Sequence, residues 1–372
     1  MKKIIFLLAL IGTVIACSSG DSGGDNSGGK NYDRGVLLTN WADNIIIPSY
    51  ENYQAKLAIL STDAANFTAT PTTTTLQTLR TSWYEAYKAY QYVAIYGFGK
   101  ALDINLKEIA NTFPTSTTGI EDNITSGTYN LSLQAQYAKQ GFPALDYLLN
   151  GLGADDATIV TFYTTNAKAS NYKKYLVDVT GKLKTTIDAV VTDWKGGYRA
   201  AYIANTGTSV SGAVNVTTNN FVKNLEKDIR TLKLGIPAGL SSNGVKFPEK
   251  TEALYKGNAS TELLNISIKA SQDFFNGKHF NSTTTGESLK TYLDFVNAVR
   301  DGKKLSEIIN TQYTAVFAVN NNLNASLADQ INTDNSKVIN AYNVLQKNVA
   351  YTKLDMMQAL NITIDYVDGD GD

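Results

Sequence analysis

From Leu76 onward the apolar and aromatic residues recur as Leu76, Leu79, Trp83, Tyr87, Tyr90 and Ala94, in steps of three or four. Side chains at this spacing share one face of an α-helix, and that face has to be buried against another element. The pattern returns at Leu176, Leu183, Ile187, Val190 and Trp194, at Val222, Leu225, Ile229 and Leu232, and at Val338, Tyr342, Leu345 and Val349. Strict alternation of the strand kind is scarce, and no glycine-rich phosphate loop follows a strand candidate. The spacing predicts an all-α chain whose helices close their cores as bundles.

Punctuation between these helices sets the organisation. The first helix is expected from about Arg34 through Trp41 and Ile45, bent or interrupted near Pro48, because proline removes a helix hydrogen bond and clashes with the preceding turn. Turn-rich segments follow at 111 to 119, 205 to 219 and 234 to 244. The middle one, polar and rich in Gly, Ser and Thr, is the expected boundary between an N-terminal bundle at 34–210 and a C-terminal bundle at 211–372. In "GIPAG" at 235 to 239, Gly235 is expected to end a helix and Pro237 to block its resumption, with Arg230 nearby as a cation beside a cleft.

The amino terminus carries a different signal. Two lysines precede an apolar run from Ile4 to Ala16, the length of a signal-peptide core and too short to span a bilayer. Val14-Ile15-Ala16-Cys17 resembles the lipobox of bacterial lipoproteins, which implies a signal peptide at 1–16 and acylation of Cys17; an ordinary cleaved signal with an incidental cysteine is the alternative. Acyl chains there would anchor the protein to a membrane that the folded part does not cross. Residues 17–33 read as the lipidated cysteine and a flexible Ser/Gly/Asp tether, since 18 to 31 hold no apolar side chain. Acidic residues after Cys17 weakly resemble a surface-export signal of some Bacteroidetes lipoproteins. Cys17 is the only cysteine, so no disulfide forms within the chain and packing must supply stability. Hydrophobic residues at 43% with a net charge of −1 argue for a globular fold and against nucleic acid as partner.

Candidate chemistry is sparse. The one histidine, His279, lies in the polar "NGKHFNST" and reads as a loop or surface residue; a helical zinc-protease motif needs two histidines one turn apart. No Ser/His/Asp or Cys/His nucleophile can be assembled. Carboxylates could hold a hard cation such as Ca²⁺, Mn²⁺ or ferric iron, with Asp103, Glu108, Glu121, Asp122 and Asp146 as candidates, each of which could equally be a solvated charge or a cap. Asp146 stands apart. Flanked by Leu145, Tyr147, Leu148 and Leu149, its carboxylate is expected to be partly buried with a partner or to point into a cleft. The terminal Asp368, Asp370 and Asp372 resemble the start of a Ca²⁺ loop but lack its sixth-position glycine and closing glutamate, and read as a frayed acidic end.

Several stretches together carry a family likeness: "LLTNWADNIIIPSYENYQAKLAIL", "LRTSWYEAYKAYQYVAIYGFGKALDI", "NTFPTSTTGIEDNI", "QGFPALDYLLNG" and "LKLGIPAGLSSNGVKFPEKTEALYKGNAS", closed by "DYVDGDGD". In this order they resemble the imelysin-like family. The resemblance implies two packed helical-bundle domains with a functional site at their interface, in a secreted or lipid-anchored bacterial protein, with several members connected to iron uptake. Its signature, a glycine, a histidine two residues on and a glutamate three further, falls here on Gly141, Pro143 and Asp146. Two of the three positions differ. Proline has no lone pair to offer a metal, which removes the peptidase reading at its most necessary atom. Proline does suit a first helical turn, and a helix from about Pro143 to Leu149 would set Asp146 where the macrodipole favours a carboxylate.

The resulting expectation is a non-enzymatic lipoprotein on the outer membrane of a Gram-negative bacterium, on its periplasmic or cell-surface face, acting in binding or uptake. The ligand would be a metal, iron or an iron-containing molecule, shared with uptake-system proteins, and an interdomain cleft lined by Gly141, Pro143, Asp146 and Arg230 would hold it. The alternative is an imelysin-type metallopeptidase with an atypical carboxylate metal site.

Overall fold

A computed structural model describes residues 31 to 366. The expectations for the signal peptide, Cys17, most of the tether, and Asp368, Asp370 and Asp372 lie outside the described residues. Asp33 caps the first helix, Arg34–Asn40, by accepting the Val36 N–H at 3.0 Å. The chain then runs through one widened π-helical segment, Trp41–Ile46, into the helix Ile47–Ala69. The expected bend or interruption near Pro48 takes the form of this π-helical stretch, which re-winds the helix without ending it. Ile47 donates back five residues to Ala42, and the Asn44 carbonyl, which Pro48 has no N–H to meet, accepts instead from Phe280 N–H at 2.8 Å.

The predicted faces form the core. Thr72 and Thr75 build a reciprocal capping box that starts the helix Thr73–Val93, and Leu76, Leu79, Trp83, Tyr87 and Tyr90 are buried along it. This helix pairs with Ile47–Ala69, which in turn packs on Ala169–Asp193, where Leu176, Leu183, Ile187 and Val190 point inward. A second group joins Asn224–Gly235, Leu305–Asn320 and Leu327–Ala350. The helix Ser260–Phe275 packs on both Thr73–Val93 and Leu305–Asn320 and so ties the two groups together. From Asp33 onward the chain forms one compact unit. The fold is all-α, apart from a small hairpin of Val299–Arg300 with Lys303–Lys304. No helix among the described residues is long and apolar enough to cross a membrane.

Three local expectations fail. The turn-rich segment 205 to 219 is loop only as far as Gly212, because Ala213–Lys223 is a helix that buries Val214, Thr217, Thr218 and Phe221. Its polar side chains do not oppose the helix: Thr218, Asn219 and Asn220 each donate to the carbonyl four residues back. Gly235 does not stop its helix, which continues through Ile236–Ala238 and ends at Gly239, whose φ of 87° supplies the left-handed cap. The helix Asn224–Gly235 is also π-wound, so after Ile229 and Arg230 the buried residues are Lys233 and Leu234, with Leu232 turned half outward.

Candidate functional site

Gly141 begins the helix Gly141–Asp146 at a φ of 77°, in the left-handed region. A Cβ on it would lie 2.3 Å from the Ala110 carbonyl oxygen and 2.5 Å from that of Ile109, so close backbone approach requires glycine twice over. The next residue is clamped as well. Trp83 Nε1–H donates to the Phe142 carbonyl at 3.2 Å, and the Phe142 ring stacks on Tyr87 with centroids 4.5 Å apart and planes at 7°. Pro143 follows within the first turn, where its missing N–H has no helical partner to lose.

Asp146 is not at the N-terminal turn. The helix starts at Gly141 and continues past Asp146 as the π-helical Tyr147–Gly151, so its own first-turn dipole does not hold the carboxylate. A distant segment does. Tyr255 N–H donates to Oδ2 at 2.8 Å, Lys256 N–H to Oδ1 at 2.9 Å, and the Asn150 amide to Oδ1 at 3.0 Å. Burial is the largest influence and pushes the carboxyl up to about 7; these three donors and the Lys256 charge pull it back only in part. Three of about four acceptor positions on a carboxylate are therefore filled.

The segment that reaches Asp146 is tied down at its other end by a buried charge pair. Glu252, on the same loop, meets the Lys233 ammonium and accepts from Asn111 Nδ2 at 2.8 Å and Gln91 Nε2 at 3.3 Å. Lys233 also donates to Gln91 Oε1 at 2.8 Å, and Tyr87 OH to Asn111 Oδ1 at 2.5 Å. Burial, then the neighbouring Glu252, raises the Tyr87 phenol far above its ordinary value, so it remains a donor. Ala253 sits between the two anchors at a φ of 53°, a conformation that only the surrounding contacts can hold. Residues 248 to 256 thus form a strap across the Gly141 helix. None of Gln91, Asn111, Lys233 and Glu252 stands out in the sequence; a buried lysine on a helix of otherwise amphipathic spacing carries no local signal.

Under the strap lies a cavity of about 30 Å³, lined by Pro143, Asp146, Pro114, Thr251 and Tyr255 among others. That volume admits water and little more. Gly141, Pro143 and Asp146 are thus brought together, whereas Arg230 lies elsewhere. Its buried guanidinium sits over the Tyr342 ring at 4.9 Å and 3.8 Å from Glu226, which also receives Lys353 at 3.0 Å and Tyr366 OH at 2.7 Å. Of the other carboxylates, Glu121 accepts the phenols of Tyr147 and Tyr172 at 2.9 and 2.6 Å, Asp103 and Asp122 are exposed, and Glu108 is half-buried. Among the described residues no group of three or more His, Cys, Asp or Glu is placed to hold a metal. His279 stands in a loop, its N–H bonded to the Thr284 carbonyl at 2.9 Å.

The family model for Imelysin, designated peptidase M75, matches residues 46–352. No curated protein matches the chain. Three solved chains match the fold, among them these two. An imelysin-like protein from Psychrobacter arcticum 273-4 superposes with a TM-score of 0.69 at 18% identity, covering 90% of this chain and 97% of the other. A candidate iron-regulated protein A precursor from Parabacteroides distasonis ATCC 8503 gives 0.70 at 16% identity, covering 89% and 97%.

Proposed function

This chain belongs to the imelysin family, and from that premise we propose that it is a lipid-anchored envelope protein that binds a ligand connected with iron, and that it is not a peptidase. The observation that carries the reading is the state of Asp146. Its carboxylate is already engaged by two backbone N–H groups and an amide, and Pro143 stands beside it where the family signature has histidine. A metal there would find at most one free carboxylate lone pair and no imidazole. The name of the Parabacteroides distasonis relative supports the iron connection. Val14-Ile15-Ala16-Cys17 supports the anchor; we place that anchor on the outer membrane of a Gram-negative cell, with uptake-system proteins as partners. In this reading the ligand enters between the Gly141 helix and the strap, and the strap moves to admit it, because the cavity of about 30 Å³ holds no more than water.

The test combines elemental analysis of the purified protein, calorimetric titration with ferric citrate and with zinc chloride, and a peptide-cleavage assay with and without chelator. Expected are binding of ferric citrate as an intact complex, with no coordination of the bare ion by Asp146, and no chelator-sensitive cleavage. Asp146→Ala should weaken that binding by at least about tenfold through release of the strap that this carboxylate holds. Stoichiometric zinc with chelator-sensitive cleavage overturns the reading in favour of a metallopeptidase. Ferric binding unchanged in Asp146→Ala removes the ligand from this site.

A further inference from the structure

A second cavity, of about 510 Å³, opens where the start of Ile47–Ala69, the end of Thr73–Val93, the helix Ser260–Phe275 and the loop at 278 to 283 meet. Its volume falls in the range of small-molecule sites, a few hundred to about a thousand Å³. It shares no lining residue with the cavity beside Asp146.

The loop that closes it is built as a fixed wall. Phe280 N–H bonds the Asn44 carbonyl that Pro48 leaves open, and Gly286 N–H bonds Gly277 at 2.9 Å. Lys278 bridges to Thr285, and the Asn40 amide donates to the Glu287 carbonyl at 2.9 Å. Gly286 is required at that junction, since a Cβ on it would lie 2.4 Å from the Asn40 side chain. The π-turn ahead of Pro48 thereby acquires a purpose beyond accommodating a proline: it offers the carbonyl on which this loop hangs.

The chemistry of the lining is selective. Asp273 is the sole acidic side chain on it, and that carboxylate is shared by two ammonium groups, Lys269 and, at 3.7 Å, Lys278. Lys269 lies outside the lining and neutralises that carboxylate, so Lys278 is the cation the lining presents, with His279 alongside. The apolar part is aromatic. Tyr92 and Phe280 meet edge to face at 5.5 Å and 85°, and Tyr96 and Phe274 lie 5.9 Å apart. Such corners accept a flat ring, which presents both a face and edges to them.

We propose that this cavity binds a small organic anion with a planar body, an aromatic carboxylate, with Lys278 meeting the carboxylate and the Tyr92 and Phe280 rings meeting the plane.

The experiment is calorimetric titration of the mature protein with benzoate, cyclohexanecarboxylate, benzyl alcohol and inorganic phosphate. Benzoate is expected to bind one to one with an affinity in the ~millimolar range or tighter, as befits so small a probe. Removing the plane, the charge or the body should each weaken binding by about tenfold or more. Lys278→Met should weaken benzoate by about tenfold, while Lys278→Arg should stay within about threefold. Lys278 is part-exposed and Asp273 keeps Lys269, so neither substitution strands a buried charge. Asp146→Asn should leave benzoate binding unchanged, which separates this cavity from the site under the strap. Benzoate failing to bind at millimolar concentrations, benzyl alcohol binding as well as benzoate, or Lys278→Met binding like the unaltered protein would each overturn the proposal.

Discussion

Asp146 offers the sharpest test of how the strap is held. Burial raises its carboxyl from the ordinary 3.8 to about 7, against the pull of the Tyr255 and Lys256 N–H groups and Asn150. Between about pH 4 and about pH 7 the folded protein keeps a proton that the unfolded chain has released, so stability falls as pH rises across that window. At 1.36 kcal/mol per pH unit, the full fall is about 4 kcal/mol, complete above about pH 7. Asp146→Asn abolishes the titration at nearly constant shape. The amide keeps one acceptor oxygen, so one of the two backbone N–H donors meets an NH₂ group, at a cost of about 1–3 kcal/mol. The variant should therefore be less stable than the unaltered protein near pH 4 by that amount, and more stable by about 1–3 kcal/mol near pH 8. Urea unfolding of both proteins at intervals from pH 4 to 8 measures the difference, in which the titrations of all other groups cancel. A difference that does not change with pH would refute the reasoning. One that moves toward the unaltered protein as pH rises would show that hydrogen bonds outweigh burial at this carboxylate.

Gly141→Ala forces a Cβ against the Ala110 and Ile109 carbonyls at a φ of 77°, and should cost about 3 kcal/mol or more in urea unfolding. Lys233→Met leaves Glu252 buried without its cation and should cost about 3–5 kcal/mol, whereas adding Glu252→Gln should recover most of that loss; costs that simply add would deny the pairing. Cys17→Ser should abolish labelling by radioactive fatty acid and shift the protein from membrane to soluble fractions, and an unchanged distribution would show that Cys17 is not the anchor.

What the sequence made legible follows a physical line. The faces led by Leu76, Leu176 and Val338 were readable because α-helical spacing and burial agree there at every position but Ala94 and Tyr342, which are half-buried. Past Ile229 they part company. Leu232 and Leu234 are both apolar, so periodicity cannot choose between them, and the π-winding that buries Leu234 also turns Lys233 inward. That winding is rewarded only by Glu252 and Gln91, which arrive from a loop and from another helix. The same holds for the candidate site. Gly141 is marked only as the first position of the family signature, and nothing in the letters says that a side chain is excluded there; Asp146 was legible because a carboxylate among leucines demands partners. The partners themselves are mostly backbone N–H groups more than a hundred residues along the chain, and a backbone donor leaves no letter in the sequence. Composition also misled where Thr and Asn read as loop, since within Ala213–Lys223 those side chains donate to carbonyls of their own helix. The Pro48 turn shows the converse. Proline predicted a break because it deprives a carbonyl of its donor, yet the protein spends that carbonyl on Phe280 and so converts the local defect into the tie that holds the wall of the larger cavity.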